Sequence, residues 1–109
     1  MAGTVMMAGV VVIAGTLAVG MATAGAAAVF SQRLASAADA AALAAADAAS
    51  GAVSGSPCDR AAELAATGGA TVTGCELDGL IVTVTVSAPF LHIPTTAMAR
   101  AGPPPGTAG

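Results

Sequence analysis

The sequence predicts an α+β protein, in which a long N-terminal helix precedes a small helix and an antiparallel β-hairpin. Three observations predict this class. The first residues form an uncharged apolar segment, an alanine-rich stretch without Gly or Pro follows, and two β-branched runs flank Asp78-Gly79. Of the 109 residues 56% are apolar, mostly in the first half, so little remains for a globular core.

The N-terminal segment has the composition of a transmembrane helix. No ionisable side chain occurs from Met1 to Gln32, and Val5–Phe30 is long enough to cross a hydrocarbon core of about 30 Å. We therefore predict a single-pass protein of the cell membrane. Small residues recur at i, i+4 as one stripe, which suits helix packing or arises by chance in an Ala/Gly-rich segment. The stripe consists of Thr16, Gly20, Ala24 and Ala28.

A cleaved signal peptide is the alternative interpretation of this segment. Ala22-Thr23-Ala24 before Gly25 satisfies the small-x-small cleavage rule, and Val5–Val19 supplies the hydrophobic region. However, no basic residue precedes the segment, and it continues through Phe30, which favours a retained helix. Cleavage would give a secreted small protein that acts as a soluble effector or binding module.

The helix is expected to continue beyond the apolar segment as a stalk. Ser31–Ser50 contains no Gly or Pro and is dominated by alanine, so we predict helix to about Ala49. A thin stripe at helical spacing suits packing against neighbouring helices in an assembly, or belongs to a spacer without a partner. It consists of Leu34, Ala38, Ala41 and Ala45.

A small α/β module is predicted after a Gly/Ser linker. Ser56 is typical of an N-cap, Pro57 of a first helical residue and Asp59 of a capping box. These signals predict a helix over Pro57–Thr67. The chain is thereby divided into a transmembrane and stalk helix (3–50), a linker (51–55), the module (56–101) and a disordered tail (102–109).

The β-branched runs predict a hairpin. They cover Ala70–Leu77 and Leu80–Ser87, and the Asp78-Gly79 dipeptide between them favours a type I′ turn. This turn would pair Cys75 with Val82 and place Cys75 on the same face as the valines of the second run. That face is expected to pack on the preceding helix.

The C-terminal stretch is expected to contain a loop, a candidate third strand and a tail. His92 lies between two prolines and is interpreted as a loop residue. A strand over Thr95–Ala101 would cover one hairpin edge, because an isolated two-stranded hairpin is marginal in water. The tail begins at Gly102 and includes a run of prolines.

The two cysteines bear on both stability and location. Cys58 falls in the first turn of the predicted helix and Cys75 on the sheet face that this helix covers, so a disulfide is geometrically reasonable. It would contribute about 3 kcal/mol in the chain-entropy model. Disulfides persist in oxidising compartments, so the bond would place the module outside the cytoplasm. The positive-inside rule alone favours the opposite orientation, because Arg33 follows the apolar segment and nothing basic precedes it.

Other functional classes find no support in the sequence. A metal site of Cys58, Cys75 and His92 would lack a CxxC or HxxxH pair and a fourth ligand. No GxSxG, P-loop or GxGxxG pattern occurs. We therefore predict no catalytic, cofactor or metal site and no small-molecule substrate. Nucleic acid is not expected either, because the net charge is -3 and the basic residues are scattered. They are Arg33, Arg60 and Arg100.

Several sequence blocks occur in the order found in one known family. The block Gln32–Ala46 is similar to RxxAxxAADLAALAAA, and later blocks fit PCxRA, CxxxGxxVxVxV and ARAGP. The later blocks are Pro57–Glu63, Cys75–Leu80 with Val82–Val86, and Ala99–Pro103. On these blocks the chain resembles the actinobacterial TadE-like proteins of the helicase/secretion-neighbourhood group. This group is similar to the minor pseudopilins of tight-adherence (Flp) pili.

The resemblance implies a non-catalytic, membrane-anchored, pseudopilin-like component of a pilus assembly or secretion apparatus. Its implied partners are other pseudopilin-like helices and an inner-membrane platform protein. Prepilins of this type carry a basic leader and a Glu five residues into the mature helix, whereas cleavage after Gly3 would place Ala8 there. This departure favours an accessory anchored subunit over a filament building block.

Overall fold

The computed structural model describes the backbone from Ala2 to Pro104 and the side chains from Gly15 to Pro104. Within this part the chain forms an N-terminal helix, a short helix and a three-stranded antiparallel sheet in the order β1-β2-β3. The elements are α1 (Ala2–Ala49), α2 (Pro57–Thr67), β1 (Thr71–Asp78), β2 (Ile81–Phe90) and β3 (Ile93–Ala101). The α+β class is confirmed, and the candidate third strand is present.

The chain divides into two compact units, Met1–Phe30 and Ser31–Gly109. The first unit is the N-terminal part of α1. The second unit contains the remainder of α1 together with α2 and the sheet. The sequence places the start of the module after the 51–55 linker, whereas the structure includes Ser31–Ala49 in the same unit. Residues 105–109 of the expected disordered tail lie outside the described residues.

The predicted end of the first helix is confirmed. α1 ends at Ala49 in a Schellman motif, in which the backbone N–H of Gly51 donates to the C=O of Ala48 (3.1 Å). The N–H of Ala52 donates to the C=O of Asp47 (2.9 Å). Gly51 has a φ of 82°, the left-handed conformation that this motif requires and that glycine adopts without steric cost. The helix therefore stops where the alanine-rich sequence meets its first glycine.

The bounds of α2 are those predicted, but the capping box is not formed. Ser56 occupies the N-cap position, and its side chain makes no capping hydrogen bond. Asp59 is one methylene shorter than the Glu or Gln that completes a capping box. Instead, Arg60 connects the linker to the helix, because its Nε donates to the C=O of Ser54 (2.8 Å). Its Nη1 also lies 3.1 Å from Oε2 of Glu63.

The predicted turn and register of the hairpin are wrong. Asp78 pairs with Ile81 and Cys75 with Val84, so the turn residues are Gly79 and Leu80. Gly79 has a φ of 62°, whereas the φ of Leu80 is not positive. Positive φ at the first central residue alone fits a type II′ turn. The observed partner of Cys75, Val84, lies two residues from the predicted partner, Val82. Because side chains alternate along a strand, Cys75 still shares a face with the valines, as predicted.

The core of the second unit is built from small side chains. Val82, Val84 and Val86 alternate along β2 and are fully buried, as is expected for one face of a strand. Ala61 and Ala65 of α2 are also fully buried. The buried stripe of α1 follows the i, i+3, i+4 spacing of a helix face. Its members are no more than 6% exposed: Leu34, Ala37, Ala38, Ala41, Ala42 and Ala45.

The alanine stripe of α1 packs within its own chain. Ala38, Ala41 and Ala45 are completely buried within the second unit of their own chain. At one point α1 and α2 approach closely, because a Cβ at Gly68 would lie 3.0 Å from the Cβ of Ala37. The stripe is neither a bare spacer nor a surface left open for other molecules. It forms the helical side of the module's core.

Candidate functional site

The described part of the first unit is apolar and exposed. The large apolar side chains of α1 in this unit include Leu17, Val19, Met21 and Val29, which are 62%, 68%, 75% and 54% exposed. Each residue of a helix is rotated by about 100° from the one before, so Leu17 and Met21 share one face. Val19 and Val29 lie about 160° and 120° away from Leu17, so exposed apolar side chains occupy more than one face. A helix that is apolar on all sides is normally covered by lipid or by other helices.

The predicted helix-packing residues lie within this exposed region. Thr16, Gly20, Ala24 and Ala28 are all exposed. A Cβ at Gly20 would meet nothing within 4 Å, so the backbone there is open to close approach. Small residues at this spacing allow two helix backbones to approach closely. The structure thus leaves the stripe accessible within its own unit.

The transmembrane prediction covers Val5–Phe30. The side chains of residues 5–14 lie outside the described part of the chain. Among the residues that the structure describes, no helix is sufficiently long and apolar to span a membrane.

The two cysteines form the disulfide expected from the sequence. Cys58 and Cys75 are bonded, with their Cα atoms 5.9 Å apart. The bond connects the first turn of α2 to the middle of β1, and both residues are half-buried. It is a covalent link between the short helix and an edge strand of the sheet.

The polar groups of the described residues lie at the surface. No polar or charged side chain between Gly15 and Pro104 is buried. In the same range, no three His, Cys, Asp or Glu side chains come together as metal ligands. Of the trio considered from the sequence, Cys58 and Cys75 are joined to each other and His92 is exposed in the β2–β3 turn.

The β2–β3 turn was not predicted from the sequence. Phe90 pairs with Ile93, so only Leu91 and His92 form the connection, and both have positive φ (50° and 67°). Positive φ at both central residues defines a type I′ turn. Leu91 and Ile93 are 68% and 65% exposed. The prolines that suggested a loop are Pro89 and Pro94, which lie opposite each other across the hairpin.

Comparison with known proteins identifies no relative. The chain matches no protein-family model, no curated protein and no solved structure. The resemblance to TadE-like proteins therefore stays a prediction from the sequence blocks.

Proposed function

We propose that this protein is a non-catalytic, membrane-anchored, pseudopilin-like component of a TadE-type pilus assembly or secretion apparatus. The observation that carries the proposal is the different environment of the two parts of α1. Side chains of the described first unit, such as Met21, are exposed, whereas Leu34 to Ala45 supply one side of the module's core. One continuous helix thus combines an uncovered apolar part with a part built into a folded domain.

Physical chemistry supports a binding role for the apolar part. Each Å² of apolar surface removed from water contributes about 25 cal/mol, so an uncharged helix exposed on all sides gains strongly from being covered. Lipid would cover it in the cell membrane. The stripe of Thr16, Gly20, Ala24 and Ala28 would then face other pseudopilin-like helices or an inner-membrane platform protein, because small residues favour close helix packing.

The module is proposed to lie outside the cytoplasm. The Cys58–Cys75 disulfide supports this location, because such bonds persist in oxidising compartments. The module is also held directly by the helix, through the buried residues Leu34 to Ala45, and not through the 51–55 linker.

A secreted protein is the second candidate, and one observation favours it. The first buried residue of α1 that contributes to the module is Leu34. Cleavage before Gly25 would therefore leave every buried residue of the second unit in the mature chain. The module would then act without an anchor, as a soluble effector or binding domain.

Intact-mass measurement on fractionated cells separates the two candidates. We expect a full-length species in the membrane fraction whose cysteines react with an alkylating reagent only after reduction. The reason is that the uncleaved apolar helix holds the chain in the membrane while the disulfide forms outside the cytoplasm. A shortened soluble species that begins near Gly25 would instead establish the secreted protein, and free cysteines in a membrane-bound form would reverse the proposed topology.

A further inference from the structure

The two ends of the module can be distinguished by what α1 touches. The C-terminal end of α1 lies beside the β1–β2 turn and the end of β3, where residues of all three segments line one shallow groove. The groove is lined by Leu43, Ala46, Asp47, Ser50, Leu80, Gly102 and Pro103. Further back along α1, Ala37 lies against Gly68, three residues before the start of β1. Within the second unit, α1 therefore runs from the end of the sheet where β1 starts to the end with the β1–β2 turn.

The β2–β3 turn lies at the end where the chain enters the module. From Ala37 back to Ser31, the first residue of the unit, the helix extends about 9 Å at 1.5 Å per residue. The start of β1 pairs with Ser87, and β2 continues from there to Phe90, about 10 Å further in the same direction. Ser31 and the β2–β3 turn are thus at the same end of the module.

Two exposed apolar side chains flank His92 in this turn. Leu91 and Ile93 are 68% and 65% exposed. No Asp, Glu, Lys or Arg occurs from Gly79 to Ala99, so both strands of this hairpin are free of formal charge up to Arg100. A polar turn would be the usual choice for a hairpin that ends in water.

The turn residues are also not those that favour stability. Leu91 and His92 adopt positive φ, a conformation that is unfavourable for residues with a Cβ atom and in which Asn and Gly are preferred. Asn-Gly would form the same turn at lower cost and without an exposed leucine. The apolar side chain at this position is therefore not explained by the requirements of the turn.

We propose that the β2–β3 turn inserts Leu91 and Ile93 into the surface of the lipid bilayer that anchors α1. The inference rests on the proposed function, because the apolar part of α1 joins the module at this same end. A lipid surface is favoured over a protein pocket, because the exposed side chains on either side of His92 are aliphatic and no Asp, Glu, Lys or Arg occurs from Gly79 to Ala99 for specific pairing. Amphipathic helices at a membrane surface bury their apolar face about 5–10 Å into the boundary between headgroups and acyl chains, and we expect a similar depth for these two side chains.

Tryptophan fluorescence in vesicles tests the proposal, because the protein contains no Trp or Tyr. Ile93→Trp reports on the turn from an extended strand position, Leu80→Trp on the opposite end of the module, and Leu17→Trp on the apolar part of α1. Each full-length variant is reconstituted in phosphatidylcholine vesicles with bromine atoms either near the glycerol or near the ends of the acyl chains. We expect the emission of the Ile93→Trp variant to shift to the blue and to be quenched most by the bromines near the glycerol.

The control positions separate this proposal from the proposed function. We expect quenching of Leu17→Trp and none of Leu80→Trp, which is 48% exposed in the native chain. If Leu17→Trp is quenched while Ile93→Trp behaves as Leu80→Trp does, the turn does not contact lipid and only the anchor stands. If neither Leu17→Trp nor Ile93→Trp is quenched, both proposals are rejected; quenching of Ile93→Trp alone supports the turn contact and rejects the anchor.

A variant of the turn excludes a trivial loss of structure. Leu91→Asn with His92→Gly suits the positive φ of both residues, so the hairpin should form at least as readily. In the Ile93→Trp background, this change is expected to reduce quenching by the bromines near the glycerol. Unchanged quenching would show that Leu91 does not participate and would overturn the proposed two-residue contact.

Discussion

Loss of the disulfide is expected to unfold most of the second unit. Replacing Cys58 and Cys75 by serine should lower the free energy of unfolding by about 3 kcal/mol, the chain-entropy value for a loop of this length. The effect is large because the core consists mainly of alanine and valine, and domains of this size have little stability to spare. Urea denaturation of the detergent-solubilised full-length chain, followed by circular dichroism, measures the change.

The matched control for this prediction is Ala62→Ser, an exposed position in the same helix as Cys58. Surface substitutions of this kind usually change stability by about 0.5 kcal/mol or less. Reduction of the unsubstituted protein should reproduce the effect of the double serine variant. Equal urea midpoints for the oxidised protein and the double variant would mean that the link between α2 and β1 contributes nothing.

Ala41→Glu is expected to have the other large effect. Ala41 is completely buried on the face of α1 that supplies the helical side of the core. A carboxylate at this position would have no partner, because no polar or charged side chain among the described residues is buried with it. An uncompensated buried charge costs about 3 to 5 kcal/mol. The second unit should therefore lose its cooperative unfolding transition.

Ala35→Glu provides the matched comparison. Ala35 lies on the same helix but is exposed, and glutamate is nearly as good a helix former as alanine. We expect its stability to stay close to that of the native chain in the same urea experiment. If both variants unfold at the native midpoint, the stripe of α1 is not part of the module's core and the division at Ser31 is incorrect.

Local sequence signals were sufficient to predict the helices. Alanine-rich sequence without Gly or Pro extended α1 to Ala49, and Pro57 and the glycines after Thr67 set the ends of α2. The face of Cys75 was also predictable, because side chains alternate strictly along a strand. With only two cysteines in the chain, the pairing had a single intramolecular solution.

The contribution of α1 to the core was not predictable from composition. Alanine is compatible with burial and with exposure, so the stripe that contains Ala38 and Ala41 gave no indication of what covers it. The structure shows that the buried residues of one face of β2 are three valines and Ala88, and side chains of this size can accommodate a helix of small residues. The unit boundary therefore depends on a tertiary contact.

Neither the β1–β2 turn nor the β2–β3 turn could be predicted from the local sequence. Asp78-Gly79 is the strongest short hairpin signal, yet pairing of Asp78 with Ile81 moved the turn by one residue along the chain. A Cβ at Gly102 would lie 2.8 Å from the carbonyl oxygen of Leu80, so the end of β3 packs directly on this turn. Leu91-His92 contains no turn-forming residue at all, and the pairing of β2 with β3 imposes its conformation.

Photocross-linking in cells tests most directly whether the uncovered apolar helix is the assembly surface. A benzophenone amino acid replaces Ala24 of the small-residue stripe, Val29 on the opposite side of the helix, or Ala35 of the module, all exposed positions. We predict protein adducts of higher mass from position 24 and few from positions 29 and 35, because Thr16, Gly20 and Ala28 of the same stripe keep that face of the helix open to a partner helix. Equal yields at all three positions, or none at position 24, would contradict the proposed role of this helix in assembly.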